Sequence, residues 1–355
     1  MGAQPERKPS VCIVGVGAKT PVGFTTVATA AAIRAGIPGF SEHSYLTNRG
    51  GEPIIVASVR NLTNGDASID RFIPLAVEPA REALIPLAPF RRNIGRIALF
   101  LGLPPQRPGR LKNLEHRFVD TFQNAVGVGP VECIATGHSA GLMALEIALH
   151  RVAIGSLEFC LVGGVDSYLE VDTLAWIEEN DQLHGDDNAY GFIPGEAAGF
   201  CLLCTEKTAE RRHLNVLGRV TTVATCRETK LIKTDAVCVG KGLTEVFGKV
   251  FADLPAVTDK ISHTICDMNG EPYRADEYGL TVARLSERFV DASAFLAPAD
   301  CWGDVGAASG PLFVNLVVTL GKGGNGKAGY NLLWTSSESG ERSAAILQRE
   351  IGLKT

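Results

Sequence analysis

The stretch Cys133-Ile-Ala-Thr-Gly-His-Ser-Ala-Gly-Leu-Met-Ala-Leu145 decides the fold. An apolar end, a glycine-bearing turn and a second apolar run predict a buried strand, a sharp turn and the first turns of a helix. Gly137-His138-Ser139-Ala140-Gly141 has the spacing G-x-S-x-G. With that spacing a strand-to-helix elbow presents one side chain at the positive end of a helix. Glycines flank such an elbow because a Cβ there would meet the neighbouring strand or helix. The helix is expected over residues 142–153, and Ile154-Gly155 lead into a strand over 159–164.

Composition bounds what this unit can belong to. A chain of 355 residues, 45% hydrophobic with 39 glycines, fits a tightly turned globular α/β protein with one large or two moderate domains. A net charge of −5 argues against bulk nucleic-acid or anionic-membrane binding. No apolar run reaches spanning length. The polar start, Met1-Gly-Ala-Gln-Pro-Glu6, fits neither a secretory signal nor a myristoylation pattern. Nine scattered cysteines, mostly inside apolar strands, read as reduced thiols of a cytoplasmic protein. Cys201-Leu-Leu-Cys204 is formally C-x-x-C, but it lies in a strand pattern with no second pair, so zinc is not expected.

Outward from the elbow, Val11-Cys-Ile-Val-Gly-Val-Gly17 reads as a central parallel strand. The position three after Gly17 is Thr20, so the dinucleotide fingerprint fails and no cofactor is expected. Helices are expected over 25–35, 75–85 (with Pro79 as a kink or late start), 114–125, 172–179, 276–289 and 311–320, and one within 236–254. Strands are expected over 53–59, 96–102, 190–205, 217–225, 262–270 and 330–335. The Pro/Arg loop 104–110 reads as a solvated turn, and the charged run 206–215 as the boundary between halves. The elbow then recurs: Gly306-Ala-Ala-Ser-Gly310 aligns without a gap with Gly137 and Gly141 and is followed by an apolar helix and a strand. The recurrence predicts two similar halves, residues 1–205 and 206–355.

These residues resemble a known family. Val14-Gly-Val-Gly-Ala-Lys-Thr-Pro-Val-Gly23, the Ala-Thr elbow, Gly191-Phe-Ile-Pro-Gly-Glu-Ala-Ala-Gly199 and Gly306-Ala-Ala-Ser-Gly310 are similar to motifs of the β-ketoacyl synthases of the thiolase superfamily. The resemblance implies an α/β thiolase-like fold with two pseudo-repeated halves in a five-layered α-β-α-β-α core, and a dimer through the elbow region. It further implies acyl-carrier protein or acyl-CoA as partner, in a homodimer or a heterodimer with a synthase subunit.

The catalytic positions depart from the family's pattern of one nucleophilic cysteine and two helper histidines. The resemblance puts His138 at the nucleophile, Asn269 at the first helper, and Gly303, followed by Asp304, at the second. Ser139 is the obvious hydroxyl beside the elbow, and Cys133 lies in the strand, where a thiol is inert. Condensation needs a thiolate, and a serine without a base is a poor nucleophile. Three readings follow. A non-condensing synthase relative binds an acyl group, a carrier protein or a sister subunit. An acyltransferase or thioesterase uses Ser139 with a histidine base that Asp304 orients; His138, adjacent in sequence, would normally point elsewhere, which leaves His184 or His263. An assembly module has no pocket at all. The bland alternatives are a capping role for Ser139, a space-filling His138, ordinary turn chemistry for Asn269 and Asp304, and a structural Glu196. The seven histidines show no metal spacing.

Overall fold

The computed structural model describes residues 10–350 apart from 61, 63–67, 92, 93, 233, 255, 257 and 321–328. The polar start and part of the 60–70 segment lie outside the described residues. In chain order the elements are β1 (Val11–Lys19), α1 (Thr26–Arg34), β2 (Ser41–Thr47), β3 (Pro53–Val56), α2 (Ser68–Ala83) and β4 (Ala98–Gly102). Next come α3 (Leu114–Val126), β5 (Val131–Ile134), α4 (Ala140–Ala153), β6 (Phe159–Ser167), α5 (Val171–Glu179), β7 (Glu196–Thr205) and α6 (Glu206–Arg211). Then follow β8 (Gly218–Arg227), α7 (Lys241–Ala252), β9 (Ile261–Cys266), α8 (Pro272–Leu285), β10 (Phe295–Leu296) and α9 (Ala299–Trp302). The last are α10 (Ser309–Thr319), β11 (Tyr330–Ser336) and β12 (Glu341–Arg349).

Strand order exposes the repeat. One side reads β5-β4-β6-β7-β1 and the other β10-β9-β11-β12-β8. In each, three strands run parallel and the last two antiparallel, so β5, β4, β6, β7 and β1 match β10, β9, β11, β12 and β8. β1 belongs to both sides, because Val11, Cys12 and Ile13 pair with Thr205, Cys204 and Leu203 and also with Val220, Arg219 and Gly218. It is antiparallel to both neighbours, which corrects the expected parallel strand. A strand covered on both faces is apolar throughout in either direction, so its composition could not separate the two.

Side-chain alternation sorts the strands into layers. In β6, Phe159 and Leu161 join one core with Leu99 and Leu101, while Cys160 and Val162 join another with Phe100. In β12, Ala345 and Leu347 join that second core, while Ala344 and Ile346 face a third. The shared middle core also takes Leu142, Leu145 and Ala148 of α4 and Leu312, Phe313 and Leu316 of α10. Helices α2 and α3 cover one outer face, and α7 and α8 the other. The result is five layers, α-β-α-β-α. Cys201 and Cys204 point to opposite faces of β7, into the middle and outer cores, so they do not form a chelating pair.

The middle layer brings α4 and α10 backbone to backbone. A Cβ on Gly141 would lie 2.3 Å from Cδ of Pro311 and 3.0 Å from the Ala307 carbonyl. That contact places the elbow of one half against its counterpart in the other. Helix α2 runs through both Pro74 and Pro79 and begins before the expected start. The Pro74 carbonyl accepts from Nζ of Lys19 at 3.0 Å, which ties α2 to the end of β1. Among the described residues no helix is long and apolar enough to cross a membrane.

Candidate functional site at the elbow

The elbow forms where β5 ends and α4 begins. Gly137 takes φ +82°, which a side chain resists, and this turns the chain so that His138 and Ser139 leave in different directions. His138 lines a cavity of about 320 Å³, together with Arg107, Tyr168, Gln182, Glu271 and Asp304. Ser139 is fully buried and lies outside that lining. Its Oγ is engaged by the carbonyls of Thr335 at 3.1 Å and Glu341 at 2.9 Å, and its N–H donates to Oγ of Ser337 at 2.9 Å. No histidine is among its partners. The hydroxyl ties the elbow to the second half.

The other three expected residues meet in one cluster. Nε2 of His138 stands 2.9 Å from both carboxylate oxygens of Asp304. Nδ2 of Asn269 donates to Asp304 at 2.6 Å and to Glu271 at 3.1 Å. The Gly306 N–H adds a further donor to Asp304 at 2.8 Å. Asp304 is positioned by main-chain bonds on both sides, from its N–H to Ile193 and from the Gly195 N–H to its carbonyl. Asn269 closes the polar turn after β9 by accepting from the Glu271 N–H.

Charge assigns the protons. A carboxylate only accepts, so Nε2 of His138 carries the hydrogen that faces Asp304. Burial by itself favours a neutral imidazole, but the Asp304 charge and hydrogen bond outweigh burial and the nearby Arg274, and the ring is held above its ordinary value. Burial likewise favours a neutral Asp304; the His138 charge and bond, Arg274 and the Gly306 N–H overcome it and hold the carboxyl well below the usual range. Both groups are therefore charged near pH 6.

Several residues here were not foreseen. Arg274, in the first turn of α8 and fully buried, reaches Asp267 at 2.8 Å and the Ser336 carbonyl at 3.0 Å, and its Nη2 lies 3.2 Å from Nε2 of His138. An arginine on a helix normally reads as solvated, so no local signal marks it. Arg107 and Arg110 correct the reading of loop 104–110 as solvated, because both are buried. Arg107 donates to Asp166 and to the Ser167 carbonyl, each at 2.6 Å, and its guanidinium lies 4.1 Å above the Tyr168 ring. Gln182 bridges Glu271 at 2.9 Å and Glu338 at 2.8 Å. Glu196 is a structural hub, accepting from Arg71, Ser167 and the Val59 N–H.

The thiols stand apart. None of the nine cysteines lines the cavity, and all are free. Cys133 on β5 is half-buried, and burial pushes its thiol up to about 12, so it is not a thiolate at neutral pH. Glu228, Cys238 and Glu277 approach one another within metal-ligand reach. Both carboxylates are already engaged, by the Thr229, Lys230 and Gly242 N–H groups and by Arg342 and Ser336, so the cluster reads as structural.

Comparison with known proteins agrees with this architecture. Residues 127–209, which carry the elbow, match the family model of the β-ketoacyl synthase N-terminal domain. No curated protein matches the sequence. The fold is similar to the ketosynthase from module 6 of the bacillaene synthase of Bacillus subtilis 168, with TM-score 0.81 and 15% identity over 97% of this chain and 72% of that one. It is also similar to a type II polyketide acyl-carrier protein in complex with its ketosynthase bound to the hexaketide, with TM-score 0.79, 14% identity and 97% and 100% coverage. The ishigamide ketosynthase/chain length factor aligns with TM-score 0.70, 20% identity and 97% and 100% coverage. The chain thus has the fold of these ketosynthases, with residues 127–209 ketosynthase-like in sequence.

Proposed function

We propose that this protein is a non-condensing relative of the ketosynthases, one that binds an acyl thioester at the elbow and makes no carbon–carbon bond. One observation carries the reading. The elbow position that faces the cavity holds His138, which is bound to Asp304, and no thiol stands there. Claisen condensation needs an acyl-accepting nucleophile and donors for the thioester oxyanion, and the first is missing from the cavity wall. The thioester would arrive on acyl-carrier protein or acyl-CoA, and the protein would act as a dimer, with itself or with a synthase subunit. A solved carrier–ketosynthase complex and a ketosynthase/chain length factor of the same fold support those partners. The recurrence of strand order on either side of residues 205 and 206 supports a division there into two halves. Nine free cysteines support a cytoplasmic location.

The acyltransferase reading through Ser139 has less support. Its hydroxyl is buried against two carbonyls with no base in reach. A cavity beneath the elbow also weighs against a pure assembly module.

The test is intact-protein mass spectrometry after incubation with acyl-CoA and acyl-carrier donors, beside Ser139→Ala and His138→Ala. The expected result is no acyl-sized mass gain and no condensation product. A gain that disappears in one elbow variant would overturn the reading.

A further inference from the structure

The His138–Asp304 pair has one ring nitrogen still to use. Nε2 is taken by Asp304, whereas Nδ1 makes no hydrogen bond among the described residues and is not among the buried polar atoms without a partner. Since His138 lines the cavity, Nδ1 opens onto it. The main-chain N–H of His138 also has no hydrogen-bond partner among the described residues. The neighbouring hydroxyls are engaged: Thr136 donates to Sδ of Met143, and Ser339 to the carboxylate of Glu341. Water is the nucleophile that remains.

A second, smaller void adjoins Asp304. Beyond Asp304, the next void, lined by Trp302 and Phe313, holds only about 10 Å³, room for a single water. Trp302 is itself 1% exposed and fills that end.

We propose that this protein hydrolyses acyl thioesters, with His138 as general base and Asp304 as the residue that orients it. Nδ1 takes a proton from water as the water oxygen bonds to the thioester carbonyl carbon. The carbonyl oxygen becomes an oxyanion. The C–S bond then breaks, and the proton passes from Nδ1 to the departing sulfur. One water and one thioester give one carboxylic acid and one thiol, with no covalent enzyme intermediate. The inference rests on the acyl-binding reading above, and it adds chemistry to it.

The test uses the purified full chain with N-acetylcysteamine thioesters of acetate, butyrate and octanoate. Thiol release is followed in water enriched in oxygen-18. Binding of a non-hydrolysable ketone analogue of the butyryl thioester is read in parallel by tryptophan fluorescence, since Trp176 lines the cavity. Hydrolysis is expected, with one heavy oxygen in each acid. His138→Gln is expected to lose about 10²–10⁴-fold, the usual share of a general base, and Ser139→Ala to retain activity.

The rate should rise with pH as the imidazolium loses its proton. The charged and titratable groups around the ring are Asp304, Arg274, Asp267, Glu271, Arg107, Tyr168 and Glu338. In Asp304→Asn that rise should move to lower pH, a change that a merely structural aspartate would not produce. Analogue binding without thiol release would overturn the hydrolysis and leave the binding reading standing. Failure to bind any analogue would overturn both. Release that survives His138→Gln in a folded variant would remove His138 from the chemistry.

Discussion

Replacing Arg274 with methionine tests the electrostatic frame of the site. Arg274 is completely buried, with Nη1 on Asp267 at 2.8 Å and on the Ser336 carbonyl at 3.0 Å. Asp267 keeps one other partner, the Ser336 N–H at 2.8 Å on Oδ2, and its Oδ1 has none. Removing the guanidinium therefore strands a carboxylate in a dry interior, which costs about 3–5 kcal/mol. Neutralising the stranded group as well, in Arg274→Met/Asp267→Asn, keeps an acceptor for the Ser336 N–H and should recover about 1–2 kcal/mol. Urea unfolding followed by tryptophan fluorescence measures both. A single variant within about 1 kcal/mol of wild type, or a double variant no more stable than the single, would refute the claim that Arg274 balances Asp267.

Other outcomes follow from the same geometry. His138 is raised in the folded state, so its stabilisation is complete below its unfolded value, about 6.5, and is lost as pH rises through the folded value. Asp304 is depressed, so its share is present above about pH 4 and lost as pH falls through the folded value; stability measured from pH 3 to 9 should peak between these limits and flatten in His138→Gln. Cys133, with its thiol pushed up to about 12, should resist iodoacetamide in the native protein at pH 8, and peptide mass spectrometry would reveal labelling. Gly141→Ala should destabilise by about 1–3 kcal/mol, because its Cβ would sit 2.3 Å from Pro311; an unchanged unfolding midpoint would contradict the close α4–α10 contact.

The sequence carried the elbow clearly, because glycine spacing and two apolar runs are local signals. The recurrence of Gly137 and Gly141 at Gly306 and Gly310 likewise foretold the matched helices α4 and α10. What local signals lack is partnership. β12 went unrecognised because Glu-Arg-Ser-Ala-Ala-Ile-Leu-Gln-Arg reads as mixed until β8 and β11 flank it. The polar β2 was missed for a similar reason, with alternation too weak to mark a strand. At the site, His138, Asn269 and Asp304 were each visible, but His138 and Asp304 are 166 residues apart, and no spacing rule joins them. Ser139 shows the opposite limit. Its motif marks the turn correctly, yet the direction of its side chain depends on carbonyls from β11 and β12.

The double allegiance of β1 sets an order of events during synthesis. Val11 to Ile13 leave the ribosome early, but their partners in β7 and β8 lie at residues 203–205 and 218–220. At about 5–20 residues per second, that strand waits roughly 10–40 s with both edges unpaired. Its run Val-Cys-Ile-Val is apolar and sticky for all of that time. The first half's five strands are complete only at residue 205, and the far edge of β1 stays open until β8 follows, so nascent chains arrested before residue 205 should depend heavily on chaperones.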